Sequence, residues 1–335
     1  MTIEELEFAR DLSELVSTTR HELEVPDLTH EETFYPLGFP TSLRTNSVEI
    51  LSMAREVWSM FDQQFHTELI RVELHIVDGD SEECPPTPSY RLANPYACCI
   101  ANAENYSISN LDTVTTKIIL SRATLRHRKY LEYFFLGSAP LNYIATRFAT
   151  AIHAGCVALD GRGVLLCGES GAGKSSLSYA CARAGWTFVT DDASYLVYGG
   201  KDRLVTGDCH RIRFRPSAGE LFPELKGLEI TPRAAGKPSV EMPTGSLPRM
   251  ICAPTAQVEF LVFLNRQWSG SPELIPFRKD VARHFMRQSQ YMPWEWRAQH
   301  YAALERLLTA EIFELRYSNM DWAVRRLEVL AREGC

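Results

Sequence analysis

Residues 168–175 read Gly-Glu-Ser-Gly-Ala-Gly-Lys-Ser, which fits the phosphate-loop pattern G-x-x-x-x-G-K-[ST] at every fixed position. Gly171 and Gly173 can take backbone angles that a Cβ forbids, so successive N–H groups can converge on one anion. Lys174 would then reach the β- and γ-phosphates of a nucleotide, and the Ser175 hydroxyl would hold Mg²⁺. The plain alternative is a glycine turn that matches by accident. With Gly at about 7% of residues, a chance match in a chain this long is on the order of one in a hundred.

Asp191 and Asp192 bear on where the phosphate goes. They follow the apolar pair Phe188-Val189, at the strand end where P-loop proteins keep the acid that orients the metal. Two adjacent carboxylates allow a division of labour: one holds the metal through water, the other accepts the proton of an attacking hydroxyl. His153 is the third element, on a strand beside the loop strand, where an imidazole can orient a carboxylate and tune its proton affinity. The plainer readings are a strand-end turn for the Asp pair and a satisfied structural histidine.

The surrounding elements suit this chemistry. Residues 163–167 form a short apolar run, a buried strand, and 175–184 can form a helix, so the octet lies between a strand end and a helix N-terminus. Residues 152–159 read as the strand carrying His153, with a tight turn at 160–163. Further strands are expected at 186–189, 258–264 and 312–317, a hairpin at 195–198 and 203–206, and helices at 280–290, 296–308 and 320–332. Upstream, 3–24 reads as an amphipathic helix with Leu6, Ala9, Leu12, Leu15 and Val16 on one face. Asn46 and Glu49 form a capping pair before a helix over 48–65, and strands follow at 69–77, 96–101 and 114–120. A helical pattern over 123–150, interrupted by Gly137 and Pro140, leads into the second half. The expected domains are an α+β N-terminal domain, 1–148, which presents the acceptor or regulates, and a P-loop catalytic domain, 149–335.

Of the 335 residues, 45% are apolar and 23% charged, and the formal charge is −7, so no global basic field would gather nucleic acid. The nine cysteines contain no C-x-x-C pair, which argues against a zinc site or disulfide framework and for a reducing compartment. The N-terminus is acidic and amphipathic, unlike a signal or transit peptide, and no apolar run approaches a membrane span. The expected setting is cytoplasmic, with neither nucleic acid nor membrane as partner.

Taken together, Ile152-His153-Ala154, the stretch from Gly161-Arg162-Gly163-Val164-Leu165-Leu166 through Ser175, and Val189-Thr190-Asp191-Asp192 resemble the catalytic domain of the HPr kinase/phosphorylase family. The resemblance covers about 150–200 firmly and 200–330 loosely, and it implies an α/β fold akin to that of phosphoenolpyruvate carboxykinase. By it, Gly168, Glu169, Ser170, Gly171, Ala172, Gly173, Lys174, Ser175 and Ser176 would bind ATP, and Ser175 would contribute to Mg²⁺. Asp191 would be the base, oriented by His153, with Asp192 nearer the metal. Direct in-line transfer to a serine hydroxyl is the chemistry implied. The family's Arg- and Gly-rich signature after a Leu-Glu pair is associated with the reverse reaction. Here the nearest stretch, 228–237, shares little beyond Leu-Glu-Ile, so phosphorylase activity is not expected. The first 150 residues match no motif of the family. Related kinases are often oligomeric, which leaves a homo-oligomer open.

Arg211, Arg213 and Arg215 would line one face of a strand while Ile212 and Phe214 face the core. Three guanidinium groups suit a phosphate or an acidic peptide, and equally a solvated face paired with the protein's own carboxylates. The Trp-rich stretch 291–296 reads as core or as a docking surface. The expected function is an ATP- and Mg²⁺-dependent kinase acting on a hydroxyl, a serine of a protein or peptide or a small-molecule equivalent. The rivals are a nucleotide-sensing regulatory module and an NTPase that transfers phosphate only to water.

Overall fold

The computed structural model describes residues 26–79, 82–199, 201–266, 270–288 and 294–334. The amphipathic helix expected at 3–24 lies outside the described residues. The fold is mixed α/β with several sheets. The chain divides into two compact units, Met1–Tyr143 and Ile144–Cys335. No helix among the described residues is long and apolar enough to cross a membrane.

The first unit is built on a seven-stranded sheet: β1 (His30–Phe34), β2 (Thr41–Thr45), β3 (Ile70–Val77), β4 (Ser89–Ala93), β5 (Tyr96–Asn102), β6 (Asn105–Asn110) and β7 (Thr115–Ser121). Their spatial order is β1-β2-β3-β7-β6-β5-β4, with β3 parallel to both β2 and β7 and the other pairs antiparallel. Helix α1 (Val48–Trp58) crosses from β2 to β3 and buries Ile50, Leu51, Met53, Ala54 and Trp58. It ends seven residues short of the expected span, and its cap is Ser47, whose Oγ accepts from Ile50 N at 3.3 Å. Asn46 is drawn away by tertiary pairing, its side chain exchanging two 2.8 Å hydrogen bonds with the Ile76 backbone. Ser47 also reaches Glu49 at 2.8 Å, which anchors the first turn.

The second unit contains β8 (Ala149–Ile152), β9 (Ala154–Leu159), β10 (Arg162–Cys167), β11 (Thr187–Thr190), β12 (Ser194–Val197), β13 (Leu204–Thr206), β14 (Arg211–Phe214), β15 (Val240–Pro243), β16 (Ile251–Cys252), β17 (Thr255–Asn265), β18 (Glu273–Pro276) and β19 (Glu311–Arg316). Its helices are α2 (Lys174–Arg183), α3 (Lys279–Gln288), α4 (Trp294–Leu307) and α5 (Met320–Glu333). Ten strands form one sheet in the order β16-β11-β9-β10-β17-β13-β12-β8, and β19 with β18 branches from β17. Strand β17 makes the fork possible, because residues 255–257 pair with β13 and residues 260–265 with β19.

Alternation along the central strands loads both faces of this sheet. Cys156, Ala158, Leu165 and Cys167 join one apolar cluster with Ala303, Leu304 and Leu307 of α4. Val157, Leu159, Val164 and Leu166 join another with Leu177 of α2 and Leu327 of α5. Helices thus cover a buried sheet on both sides, as a largely apolar strand requires. Cys156, Cys167 and Cys181 belong to these clusters, and all eight described cysteines are free, six of them buried. The strand expected over 152–159 is broken at His153, where the chain leaves β8, paired with β12, and enters β9, paired with β10 and β11. Of the Trp-rich stretch, 291–293 lies outside the described residues. Trp296 packs within the unit, under the Arg147 guanidinium at 5.4 Å from its ring centre.

Candidate active site

Strand β10 runs parallel to β17 and ends at Cys167, which delivers residues 168–173 to the sheet edge before α2 begins. Three glycines there have positive φ: Gly168 (+152°), Gly171 (+93°) and Gly173 (+100°). A Cβ at Gly168 would fall 2.9 Å from Ala172 Cβ, so the turn closes only with glycine there. The Lys174 ammonium is folded into this turn. Its Nζ donates to Gly168 O at 2.7 Å, Glu169 O at 3.2 Å and His153 Nε2 at 3.0 Å. Burial depresses its pKa, opposed by the charges of Asp192, Cys167, Glu169 and Asp191. Beneath the loop, the buried Tyr317 hydroxyl has no hydrogen-bond partner in the described structure, and it lies 3.3 Å from where a Gly173 Cβ would stand.

Strand β11 brings the Asp pair to the same edge. It runs antiparallel to β9 with a bulge between Phe188 and Thr190, and Thr190 pairs with Cys156. Continuing that register sets Asp191 beside Gly155 and Asp192 near His153. Gly155 is required, because a Cβ there would meet Ser178 Oγ at 2.6 Å and Asp191 O at 3.1 Å. Asp191 is buried, at 6% exposure. Its carboxylate takes a hydrogen bond from Ser175 and one from Arg213 N–H at 3.2 Å. Burial pushes its pKa up to about 7, with Asp192 adding to the rise and the Ser175 and Arg213 hydrogen bonds opposing it. Asp192 is half exposed, and its Oδ1 lies 3.2 Å from His153 Nδ1.

His153 therefore pairs with Asp192 and not with Asp191, contrary to the sequence expectation, and Ser175 pairs with Asp191. A neutral imidazole with its proton on Nδ1 satisfies both contacts: Nδ1–H donates to Asp192 and Nε2 accepts from Lys174.

Arg211 and Arg213 lie on the outer face of β14, with Ile212 and Phe214 in the core as the alternation requires; Arg215 is exposed just beyond the strand. Strand β14 pairs with β15 and sets Arg213 opposite Glu241. Arg213 Nε lies 2.9 Å from the Glu241 carboxylate, and Arg211 contacts Glu241 at 3.4 Å and Asp208 at 3.3 Å. The protein's own carboxylates thus engage two of the three arginines. Lys237, which no sequence signal singled out, places its Nζ 3.2 Å from Ser170 Oγ. Glu169 is exposed, and Ala172, Ser175 and Ser176 are half-buried around the loop.

This lining suits a nucleotide and a hard cation. The glycine turn presents backbone donors, Lys174 is a buried cation beside them, and the loop opens the N-terminus of α2. Ser175 and Asp191 offer two oxygens to Mg²⁺, which ordinarily completes its shell with phosphates and water. Among the described residues no cluster of three or more His, Cys, Asp or Glu side chains could hold a metal by itself.

The raised Asp191 pKa has a stability consequence. Its neutral form is favoured in the folded state, so the associated stability is complete at low pH and is lost as pH rises from about 4 to about 7. Asp191→Asn removes that titration. In chelator-treated, ligand-free protein the variant should unfold several degrees above wild type at pH 8, and its advantage should vanish near pH 4. A shift of about three pKa units corresponds to at most ~4 kcal/mol. Equal midpoints at both pH values in thermal melts would contradict this.

No family model and no curated protein matches the chain. Among solved structures, the chain is similar to the one described as the Hpr(Ser) kinase/phosphatase from Coxiella burnetii, at 14% identity and a TM-score of 0.29, covering 55% of this chain and 99% of that one.

Proposed function

We propose that residues 144–335 form a Mg²⁺- and ATP-dependent phosphotransferase that acts on a hydroxyl, with a serine of a protein or peptide as acceptor. The observation that carries this reading is the continuous run Lys174–His153–Asp192, beside the Ser175–Asp191 pair, at the lip of the glycine turn. A phosphate sensor needs the cradle and the metal ligands. It has no use for a partly exposed carboxylate held by a histidine.

In this reading the N–H groups of residues 168–175 cradle the phosphates and Lys174 neutralises charge on the transferring group. When bound, Mg²⁺ would offset the negative charge of the phosphates. Ser175 and Asp191 are the residues that would hold it. Asp192, oriented by His153, takes the proton of the acceptor hydroxyl. These roles exchange those that the family resemblance implied for the two aspartates. The acceptor's identity as serine rests on that resemblance, and presentation of the acceptor by the first unit belongs to the same proposal.

The test is incubation of the full chain with γ-³²P-ATP and Mg²⁺ in a lysate of the source cell. Label on a protein, peptide or metabolite, recovered as phosphoserine from a protein, supports the reading. Tight ATP binding without transferred label would replace it with a nucleotide sensor. Phosphate released to water at the same rate with and without lysate would replace it with an NTPase.

A further inference from the structure

Lys237 is carried to the phosphate loop by a segment braced at several points. Thr231 N–H donates to Ser239 O at 3.0 Å, and Glu241 N–H donates to Thr231 Oγ1 at 2.8 Å, which closes the base of the loop 231–241. Within it, Arg233 Nη1 lies 3.2 Å from Ser239 Oγ. Gly236 turns the tip with φ +95°, a conformation that favours glycine, and Lys237 follows directly. At the base, Glu241 continues into β15 and holds Arg213, whose N–H donates to Asp191. One connected framework therefore positions both Lys237 and Asp191.

Lys237 is exposed, and Ser170 Oγ is its one hydrogen-bond partner among the described residues. A lone hydroxyl is a weak partner for an ammonium, which binds phosphate as a compact point charge. Lys174 occupies the inner side of the loop against the carbonyls of Gly168 and Glu169. Lys237 arrives at the outer lip, at Ser170. The two cations bracket residues 168–170.

We propose that Lys237 is a second phosphate-binding cation, supplied in cis by loop 231–241, that contacts the terminal phosphate of a nucleoside triphosphate. The inference rests on the phosphotransferase reading and adds to it a residue that separates triphosphate from diphosphate. During transfer, the bond from the γ-phosphorus to its bridging oxygen breaks and a bond to the acceptor oxygen forms. The acceptor proton passes to Asp192, and the nucleoside diphosphate leaves. Lys237 forms no covalent bond; it offsets charge on the transferring group, as the cationic finger of other P-loop enzymes does.

The experiment is calorimetric titration of the full chain, as wild type, Lys237→Met and Lys237→Arg, with MgATP and MgADP. Lys237→Met should weaken ATP binding about tenfold, the scale of one charge-assisted hydrogen bond, and ADP binding less than about threefold. Lys237→Arg should keep most of the ATP preference, and the thermal midpoint of each variant should match wild type. Unchanged affinities, or equal weakening for ATP and ADP, would overturn the assignment, as would an arginine variant no better than methionine. A wild type that binds neither nucleotide would instead overturn the phosphotransferase reading on which it stands.

Discussion

Lys174→Met should lower phosphoryl transfer by about a thousandfold or more and weaken ATP binding at least about tenfold. Lys174 is 5% exposed, and its ammonium is held by two loop carbonyls and His153. That cation cannot be replaced from solvent. Methionine nearly preserves the length and removes a charge whose burial opposes folding, so the thermal midpoint should hold while function is lost. Lys174→Arg supplies a control: the charge stays, but the planar guanidinium does not fit a turn closed around an ammonium, and rate should fall with it. Label transfer from γ-³²P-ATP and calorimetric titration with MgATP measure the two effects. Unchanged rate and affinity would remove the phosphate loop from the site.

Replacing the two aspartates separately should give opposite phenotypes. Asp192→Asn should cut transfer by roughly 10²- to 10⁴-fold, the usual span for loss of a general base, with MgATP affinity within about threefold of wild type. Asp191→Asn should instead weaken the Mg²⁺ dependence of binding, because Asp191 shares the Ser175 hydroxyl. His153→Ala should resemble a milder Asp192 variant, since it frees the carboxylate that His153 holds at 3.2 Å without removing it. If Asp191→Asn spared metal-dependent binding and abolished transfer, the aspartates would exchange roles. Single-turnover rates over a Mg²⁺ series separate the two outcomes.

The glycine turn at 168–173 was legible in the chain because its determinants are local. Gly168 and Lys174 are six positions apart, and a glycine turn that opens a helix brings the lysine back onto its own carbonyls without help from elsewhere. The central strands and the helices of the second unit were legible for a related reason, since periods of two and 3.6 are written into consecutive residues, whereas β8, β15, β16 and β18 were not anticipated. Strands β1, β2, β4 and β6 were not anticipated. All four are short and carry many polar residues, such as Ser89, Asn105 and Ser107, so sheet pairing decides their state more than composition does.

The charged partners needed three dimensions. Arg211, Arg213 and Arg215 read equally well as a phosphate-binding face or a self-paired one. The β14–β15 register, which crosses from Arg213 to Glu241, ties the first two to the protein's own acids. Lys237 is 67 positions from Ser170, and nothing near either residue announces their meeting.

The chain by itself placed Asp191 and Asp192 at a strand end downstream of a glycine turn, and His153 on a neighbouring strand, which the structure breaks at that residue. Only the tertiary structure decided which aspartate His153 holds. The pairing of β11 on β9 continues to set Asp191 opposite Gly155 and Asp192 opposite Ala154, next to His153, and the register of two strands distant in sequence is fixed only when the sheet forms.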